Sequence, residues 1–514
     1  MPTSLIRAKY VVRGVIDRHQ FDCIEDGAVL QRDGVILAVG AYADLADLPD
    51  AKGAERLGSP DHVLLPGFVN AHHHVGLTPL QLGSPDLPLE LWFASRLGSR
   101  AVDRRLDTLY SAFEMVESGI TTVQHLHGRV PGDAAAVAAG AREVLDAYGD
   151  IGMRASYAYT VRDQNRLVYE DDQAFLARLP QDLAGPLARW FAWLGQSIDD
   201  QIGAFRLLHE HYAGHPRLAI QLAPANLHWC SDNALSDLLG ESVRTGAPMH
   251  MHLLETPYQK EYALRRTGRS AVAHLHRLGM LGPKMTIGHG TWLSEPDIEL
   301  LADSGTCVCH NCSSNFRLRS GVAPLNHLER RGITIGLGLD EAGINDDRDM
   351  LQEMRLVLRA HRVPGMDDQV PTPAQVLRMA TVGGAATTPF SGLIGRLAPG
   401  LRCDAVLLRW SQVAAPFLDP DTNPIDAVIQ RAKTEGVETV LVDGEAIYRE
   451  RRFIRVDRAA ATAALAEQMK APPSAIEQER RLLAKGLIPH VKAFYADYLR
   501  DQTRTPYYSP SSRS

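Results

Sequence analysis

The sequence predicts an α/β protein: a (β/α)8 barrel of the TIM type, with a small composite β-sandwich built from the segments before and after it. Three observations predict this. From Pro66 to about residue 391, short apolar or β-branched runs alternate with longer amphipathic stretches, the pattern of a parallel sheet with crossover helices. That segment, roughly 325 residues, has the length of an eight-stranded barrel with insertions. Four groups of histidine or carboxylate residues each close one of the apolar runs, and barrels of this kind build their sites at the carboxyl ends of their strands. A doubly wound open sheet is the alternative. The absence of a Gly-x-Gly-x-x-Gly turn after any early strand weighs against it.

Taken in order, residues 1–65 read as the first part of the sandwich. Ala28-Val29-Leu30 and Val35 to Val39 are short strands about the turn Asp33-Gly34. This is too little chain to bury a core alone, so it needs a partner from elsewhere. Val63-Leu64-Leu65 reads as the buried approach to the first site strand. Residues 66–392 hold the barrel. Its strand runs include Thr121-Thr122-Val123, Leu218-Ala219-Ile220, Met249 to Leu254, Met285-Thr286-Ile287, Thr306 to Cys309 and Ile333 to Leu339. Amphipathic stretches such as Arg105–Glu117, Ala134–Ala147 and Glu295–Leu301 lie between them. Residues 162–205 exceed one crossover and read either as an insertion over the barrel mouth or as an ordinary long excursion. Strand signals return in 393–456, at Asp404 to Leu408 and at Val437 to Val442 before the turn Asp443-Gly444, and complete the sandwich. Residues 457–514 form a helical tail interrupted at Pro472-Pro473. Its apolar positions Leu482, Leu483, Leu487, Val491, Phe494 and Tyr495 need a covering surface, either the barrel or a second subunit. A homo-oligomer, dimer or higher, is expected on the second option. The final stretch 503–514 reads as disordered or extended over a neighbour.

Composition narrows the function classes. The net charge of −7 argues against a nucleic-acid partner. No run of about 18 apolar residues is present to span a membrane, and the N-terminus lacks a signal-peptide core. Six cysteines in 514 residues make no disulfide framework, which places the protein in a reducing cytoplasm with a small-molecule substrate.

The chemistry sits in the strand-end groups. In PGFVNAHHH, His72 and His74 share one face of a strand and His73 points the other way. Paired imidazoles at the end of a buried strand are the start of a metal site. In PMHMHLLET, His250 and His252 again share a face, and Glu255 follows. GHGTWL places His289 after a strand, and ITIGLGLDEAGIND ends a buried run in Asp340. A lone carboxylate closing an apolar strand is hard to explain by packing, because an unpaired buried charge is expensive. Three further groups follow strand ends and either face the pocket or support the wall. They are Thr78, Gln81 and Trp92; Gln124, His125 and His127; and Asn226, His228 and Trp229. CVCHNC, with Cys307, Cys309, His310 and Cys312, looks superficially like a metal or haem tract. Its cysteines are one residue apart where haem attachment needs two, and no second pair is present, so it reads as a buried strand with small apolar thiols.

PGFVNAHHH, HLLET, GHGTWL and GLGLD together resemble the amidohydrolase superfamily, in its branch of deaminases and triazine or nucleobase aminohydrolases. DLPLELWF at 86–93, SGITTV at 118–123, SSNFRLRSGVAP at 313–324 and IGRLAPGLRCDAVLL at 394–408 extend the resemblance, which spans about residues 1–456. It implies that His72, His74, His252 and Asp340 hold one divalent metal ion, Zn2+ or in some cases Fe2+. The spacing to Glu255 selects His252 over His250. It also implies catalytic roles for Glu255, His289 and Asp340: His289 and Asp340 orient a metal-activated water, and Glu255 protonates a ring nitrogen. Asn315 and Asn345 match family positions near the site. Two-metal relatives use a bridging carbamylated lysine, whereas this chain has no lysine between Lys52 and Lys260, so one metal is expected. Nucleoside deaminases of the family often carry histidine after the fourth strand's proline, where Ala225 follows Pro224 here. The expected reaction is hydrolytic deamination or dealkylamination of a triazine, pyrimidine, pterin or purine ring. The rivals are hydrolysis of an exocyclic amide, urea or carbamate, and a non-catalytic binding protein on the same barrel. The complete set of six residues argues against the last.

Overall fold

The computed structural model describes residues 3–366, 368–500 and 504–513. The chain opens with four strands: β1 Ser4–Val15, β2 Phe21–Arg32, β3 Val35–Ala41 and β4 Glu55–Pro66. β1 is the centre of this group, antiparallel to β2 and parallel to β4. Val63, Leu64 and Leu65 therefore belong to this terminal sheet and not to the site strand. The chain changes sheets at Gly67, where a side chain would collide with Thr121 at 2.3 Å.

The barrel strands are β5 Phe68–His73, β6 Ile120–His127, β7 Arg154–Val161, β8 Leu218–Ile220 with the short β9 Ala223–Pro224, β10 Met249–Leu253, β11 Met285–His289, β12 Cys307–His310 and β13 Ile335–Leu337. All neighbours pair in parallel. Two bridges close the ring, Leu222 to Met249 and His73 to Asp340. The second joins the first and last strands at the site itself. The sequence pattern hides β7, which starts on arginine and mixes Ser156, Thr160 and tyrosines with alanines.

β14 Ala405–Arg409, β15 Val437–Val442, β16 Glu445–Arg449 and β17 Arg452–Phe453 complete an eight-stranded sheet, with β14 antiparallel to β4. A buried ion-pair cluster ties this sheet to the barrel. Arg154 donates from β7 to Asp404 at 2.8 and 3.0 Å and to Asp443 at 2.7 Å, and Arg217 donates to Asp443 at 3.0 Å. Charge inside the protein persists here because every member is paired.

The excursion after β7 resolves into two parts. Helix Ile198–His211 packs on helix Ala134–Ile151 and on β7, as a crossover helix should. The stretch before it, with helix Gln181–Leu194, is the true insertion. Its Leu187, Trp190 and Phe191 form one apolar cluster with Leu483, Leu487, Val491 and Tyr495 of the tail helix Ala475–Tyr495. The tail therefore buries its apolar face within its own chain, and the argument from it to a second subunit falls away; Leu482 alone of the expected positions is strongly exposed. Beyond it, Tyr507 donates to Leu293 O and Tyr508 accepts from Asn326 N, so the end of the chain lies over its own barrel. Thr503 and Ser514 lie outside the described residues. Among the described residues no helix is long and apolar enough to cross a membrane.

Candidate metal centre and active site

At the carboxyl end of the barrel, His72 Nε2 lies 3.0 Å from His74 Nε2, which lies 3.1 Å from His252 Nε2. Asp340 Oδ1 is 3.2 Å from His74 Nε2 and 3.6 Å from His72 Nε2. Donor atoms this close fit one ion: donors about 2.0–2.1 Å from zinc sit roughly 3.3 Å apart in a tetrahedron. The opposite ring nitrogens set the tautomers. His74 Nδ1 donates to Leu126 O at 2.6 Å and His252 Nδ1 to Ala225 O at 2.9 Å, which turns both Nε2 lone pairs inward. His72 Nδ1 meets His250 Nε2 at 2.8 Å. His250 and His252 do share a strand face, and His250, one layer deeper, serves His72. Burial, and then the neighbouring imidazoles, hold His72 and His252 well below the usual histidine pKa, in the neutral form that metal ligation requires.

The backbone at the end of β11 and just after β13 is unusual. His289 has φ +71° and Asp340 φ +54°, left-handed conformations that non-glycine residues adopt at a cost of about 1–3 kcal/mol. Asp340 is held there by its N–H donating to His72 O at 2.8 Å. Gly338 in GLGLD is obligatory, since a Cβ there would lie 2.5 Å from His72 Cβ and 2.4 Å from Asn311 Oδ1.

The remaining machinery surrounds this centre. Ser314 donates to Asp340 Oδ2 at 2.5 Å. His289 Nδ1 pairs with Asn315 Oδ1 at 3.0 Å, so its Nε2 faces Glu255 Oε2 at 3.7 Å and Asp340 Oδ2 at 3.8 Å. Burial, followed by the charges of Asp340 and Glu90, pushes the Glu255 carboxyl well above the usual range, and Ser320 donates to its Oε1 at 3.3 Å. Both burial and these charges favour the protonated form of Glu255.

The cavity above these groups is walled by Trp92, His127 and Trp229 among the expected substrate contacts. Asn315 lies behind His289. The other four expected contacts lie outside the cavity lining. Gln81 is exposed and bonds Thr78 N and Tyr110. His125 bonds the Tyr148 hydroxyl at 2.8 Å on the helix side of the wall. His228 is buried between the rings of Tyr169 and Trp229. Asn226 Oδ1 accepts from Leu227 N. The physical reason is local: the β9–helix loop offers the site a carbonyl, Ala225 O, and turns its polar side chains away. His73 faces outward and meets Ser111 at 3.2 Å. Asn345 bonds Gln352 and is not part of the lining.

Two of the cavity residues that the sequence reading left out are charged and stand without a carboxylate partner among the described residues. Arg129 and Arg162 follow the ends of β6 and β7, and the strand-end rule applied there would have found them. Neither makes an ion pair among the described residues. Arg162 lies 3.9 Å over the Trp229 ring, and Arg96, which also lines the cavity, is paired with Glu341. Burial, together with the neighbouring guanidiniums, presses Arg129 down to about 9 and Arg162 down to about 10. Two guanidiniums of the lining thus lack a carboxylate partner among the described residues.

Fold and site together define a hydrolase of the metal-dependent barrel class. The chain belongs to the amidohydrolase family, whose model matches residues 63–447. It is 30% identical over 450 residues to a 5-methylthioadenosine/S-adenosylhomocysteine deaminase of Nitratidesulfovibrio vulgaris, covering 84% of this chain and 90% of the relative. An adenosine deaminase from Xanthomonas campestris with bound zinc superposes with a TM-score of 0.75 at 26% identity, covering 91% and 97% of the two chains. An atrazine chlorohydrolase from Arthrobacter aurescens complexed with zinc shares the fold, with a TM-score of 0.76 at 21% identity and coverage of 90% and 99%. The protein is accordingly an enzyme, a hydrolase acting on C–N bonds other than peptide bonds.

Proposed function

We propose that this enzyme hydrolyses the exocyclic C–N bond of an amino-substituted N-heteroaromatic ring, with one divalent ion, zinc, held by His72, His74, His252 and Asp340. The observation that carries the reading is Glu255: a buried carboxyl on the cavity wall, 3.7 Å from His289 Nε2, in surroundings that favour its protonated form. A ring nitrogen needs such an acid, because protonating it prevents negative charge from building on the ring as the carbon is attacked. An ion in the four-ligand set supplies a Lewis acid that makes water nucleophilic near neutrality. Asp340 Oδ2 and His289 Nε2, 3.8 Å apart, orient the attacking water and take its proton. Glu255 gives its proton to the ring, and His289 is placed to pass the second proton to the departing nitrogen. Trp92 and Trp229 present flat apolar walls to a planar ring.

The unpaired Arg129 and Arg162 extend the reading to a substrate with an anionic group distant from the ring, a carboxylate or phosphate. The relatives' names support a 6-aminopurine nucleoside as the ring. Ala225 in place of histidine is compatible with this, since its visible contribution is a backbone carbonyl. A single ion is supported by β8, Leu218–Ile220, which has neither lysine nor carboxylate. Six free cysteines, five of them buried, suit a reducing compartment.

Glu255→Gln tests the reading. It keeps the shape and removes the proton, and kcat on a ring substrate should fall by about 10²–10⁴. Nearly full activity would reject ring protonation and favour the amide or urea rival, whose need is a donor for an oxyanion.

A further inference from the structure

A second cluster of ligand side chains lies behind the catalytic wall. His310 ends β12, Cys312 opens helix Cys312–Arg317, and His361 caps helix Met350–Ala360. All three are buried. His310 Nε2 and His361 Nε2 are 2.9 Å apart, matching the 3.0 and 3.1 Å between the catalytic imidazoles, and one donor atom from each of the three residues lies within 4.8 Å of the others. A separate observation points to a cation here. Glu353, on the same helix as His361, is buried beside Cys312 and Ser313. It accepts from Ser313 N at 3.1 Å and from Ser313 Oγ, and it has no ion pair among the described residues. Burial pushes the Glu353 carboxyl up to about 7, so a cation beside it would favour its charged form.

Although the CVCHNC tract alone reads as packing, the distant His361 completes a ligand set, and we propose that His310, Cys312 and His361 bind a second metal ion, a thiophilic divalent ion of the zinc type, separate from the catalytic one. Binding forms one metal–sulfur and two metal–nitrogen bonds and releases the Cys312 thiol proton to solvent. The charges then balance: two positive from the ion against the thiolate and the Glu353 carboxylate. Two imidazoles and a thiolate make a donor set unlike that of the catalytic centre, which has no sulfur. The site has a structural consequence. Helix Cys312–Arg317 carries Ser314, which donates to Asp340, and Asn315, which holds His289. An ion joining Cys312 to β12 and to helix Met350–Ala360 fixes that helix, and with it both catalytic partners. Asn326 closes the region from outside, donating to His361 O at 2.9 Å, while the Tyr508 ring of the tail lies 5.8 Å from His361.

The test is a cobalt(II) titration of full-length protein stripped of metal by a chelator. The expected result is two equivalents bound, one of them producing a thiolate-to-cobalt charge-transfer band in the near ultraviolet. Cys312→Ser should lose that band and one equivalent, and Cys309→Ser should keep both. One equivalent without the band in the unmodified protein would overturn the proposal, whatever the variants do. A band that disappears with Cys309→Ser and survives Cys312→Ser would overturn it as well. Neither result touches the sulfur-free catalytic set, so failure here is distinguishable from failure of the hydrolase reading.

Discussion

Replacing Asn315 by leucine should cost most of the activity and leave the fold standing. Asn315 is buried, its Oδ1 accepts from His289 Nδ1 at 3.0 Å, and its Nδ2 has no partner. Leucine has similar bulk, so the change deletes one acceptor and one unpaired amide. The His289 N–H then faces no acceptor inside the wall, a loss of about 1–3 kcal/mol. The imidazole escapes it by rotating or by moving its proton to Nε2, the nitrogen that faces Glu255 at 3.7 Å and Asp340 at 3.8 Å. If the whole loss falls on the transition state, kcat/KM drops by roughly 5- to 150-fold. The assay is steady-state kinetics beside a thermal melt. A kcat/KM within twofold of the parent, with an unchanged melting midpoint, would refute the claim that Asn315 positions His289.

Other outcomes follow from the same geometry. Arg154→Met leaves Asp404 and Asp443 buried without their guanidinium and should destabilise the protein by about 3–5 kcal/mol, read as a large fall in melting midpoint; a shift of a degree or less would show that the cluster is not what joins sheet to barrel. Arg129→Ala and Arg162→Ala should each raise KM at least about tenfold for a substrate with a distal carboxylate or phosphate, and leave a neutral analogue nearly unaffected. Equal effects on both substrates would remove the anion argument. His250→Ala deletes the partner of His72 Nδ1 and should weaken zinc binding by about 10- to 100-fold in a competition with a chromophoric chelator, whereas unchanged affinity would make His250 mere filling.

Much of the site is legible in the sequence because strand parity is a strong constraint. His72 with His74, and His250 with His252, are two residues apart, and a strand must put each pair on one face. Asp340 stands out because nothing in a buried strand tolerates it without a role. The loops did not yield to the same logic. Gln81, His125 and Asn226 are polar residues near strand ends that the structure turns toward the fold through bonds that spacing does not reveal, as with His125 and the distant Tyr148, and His228 is packed between the rings of Tyr169 and Trp229. β7 escaped notice because its Arg154 is buried against Asp404 and Asp443, some 250 to 290 residues later in the chain. The tail's apolar face was visible in its periodicity, but its partner was not, since the insertion that covers it shares no pattern with it.

The account rests on deamination of a ring at one zinc-supported centre. The measurement that tests it most directly is ammonia release by zinc-loaded protein from 6-aminopurine nucleosides with and without a distal carboxylate or phosphate, run beside amino-triazines, aryl ureas and anilides. The account predicts one ammonia per ring converted to the hydroxyl or oxo product, fastest with the anionic nucleosides, and slowed about 10²–10⁴-fold by Glu255→Gln. Intact rings, with aniline or acid released from the ureas or anilides, would contradict it.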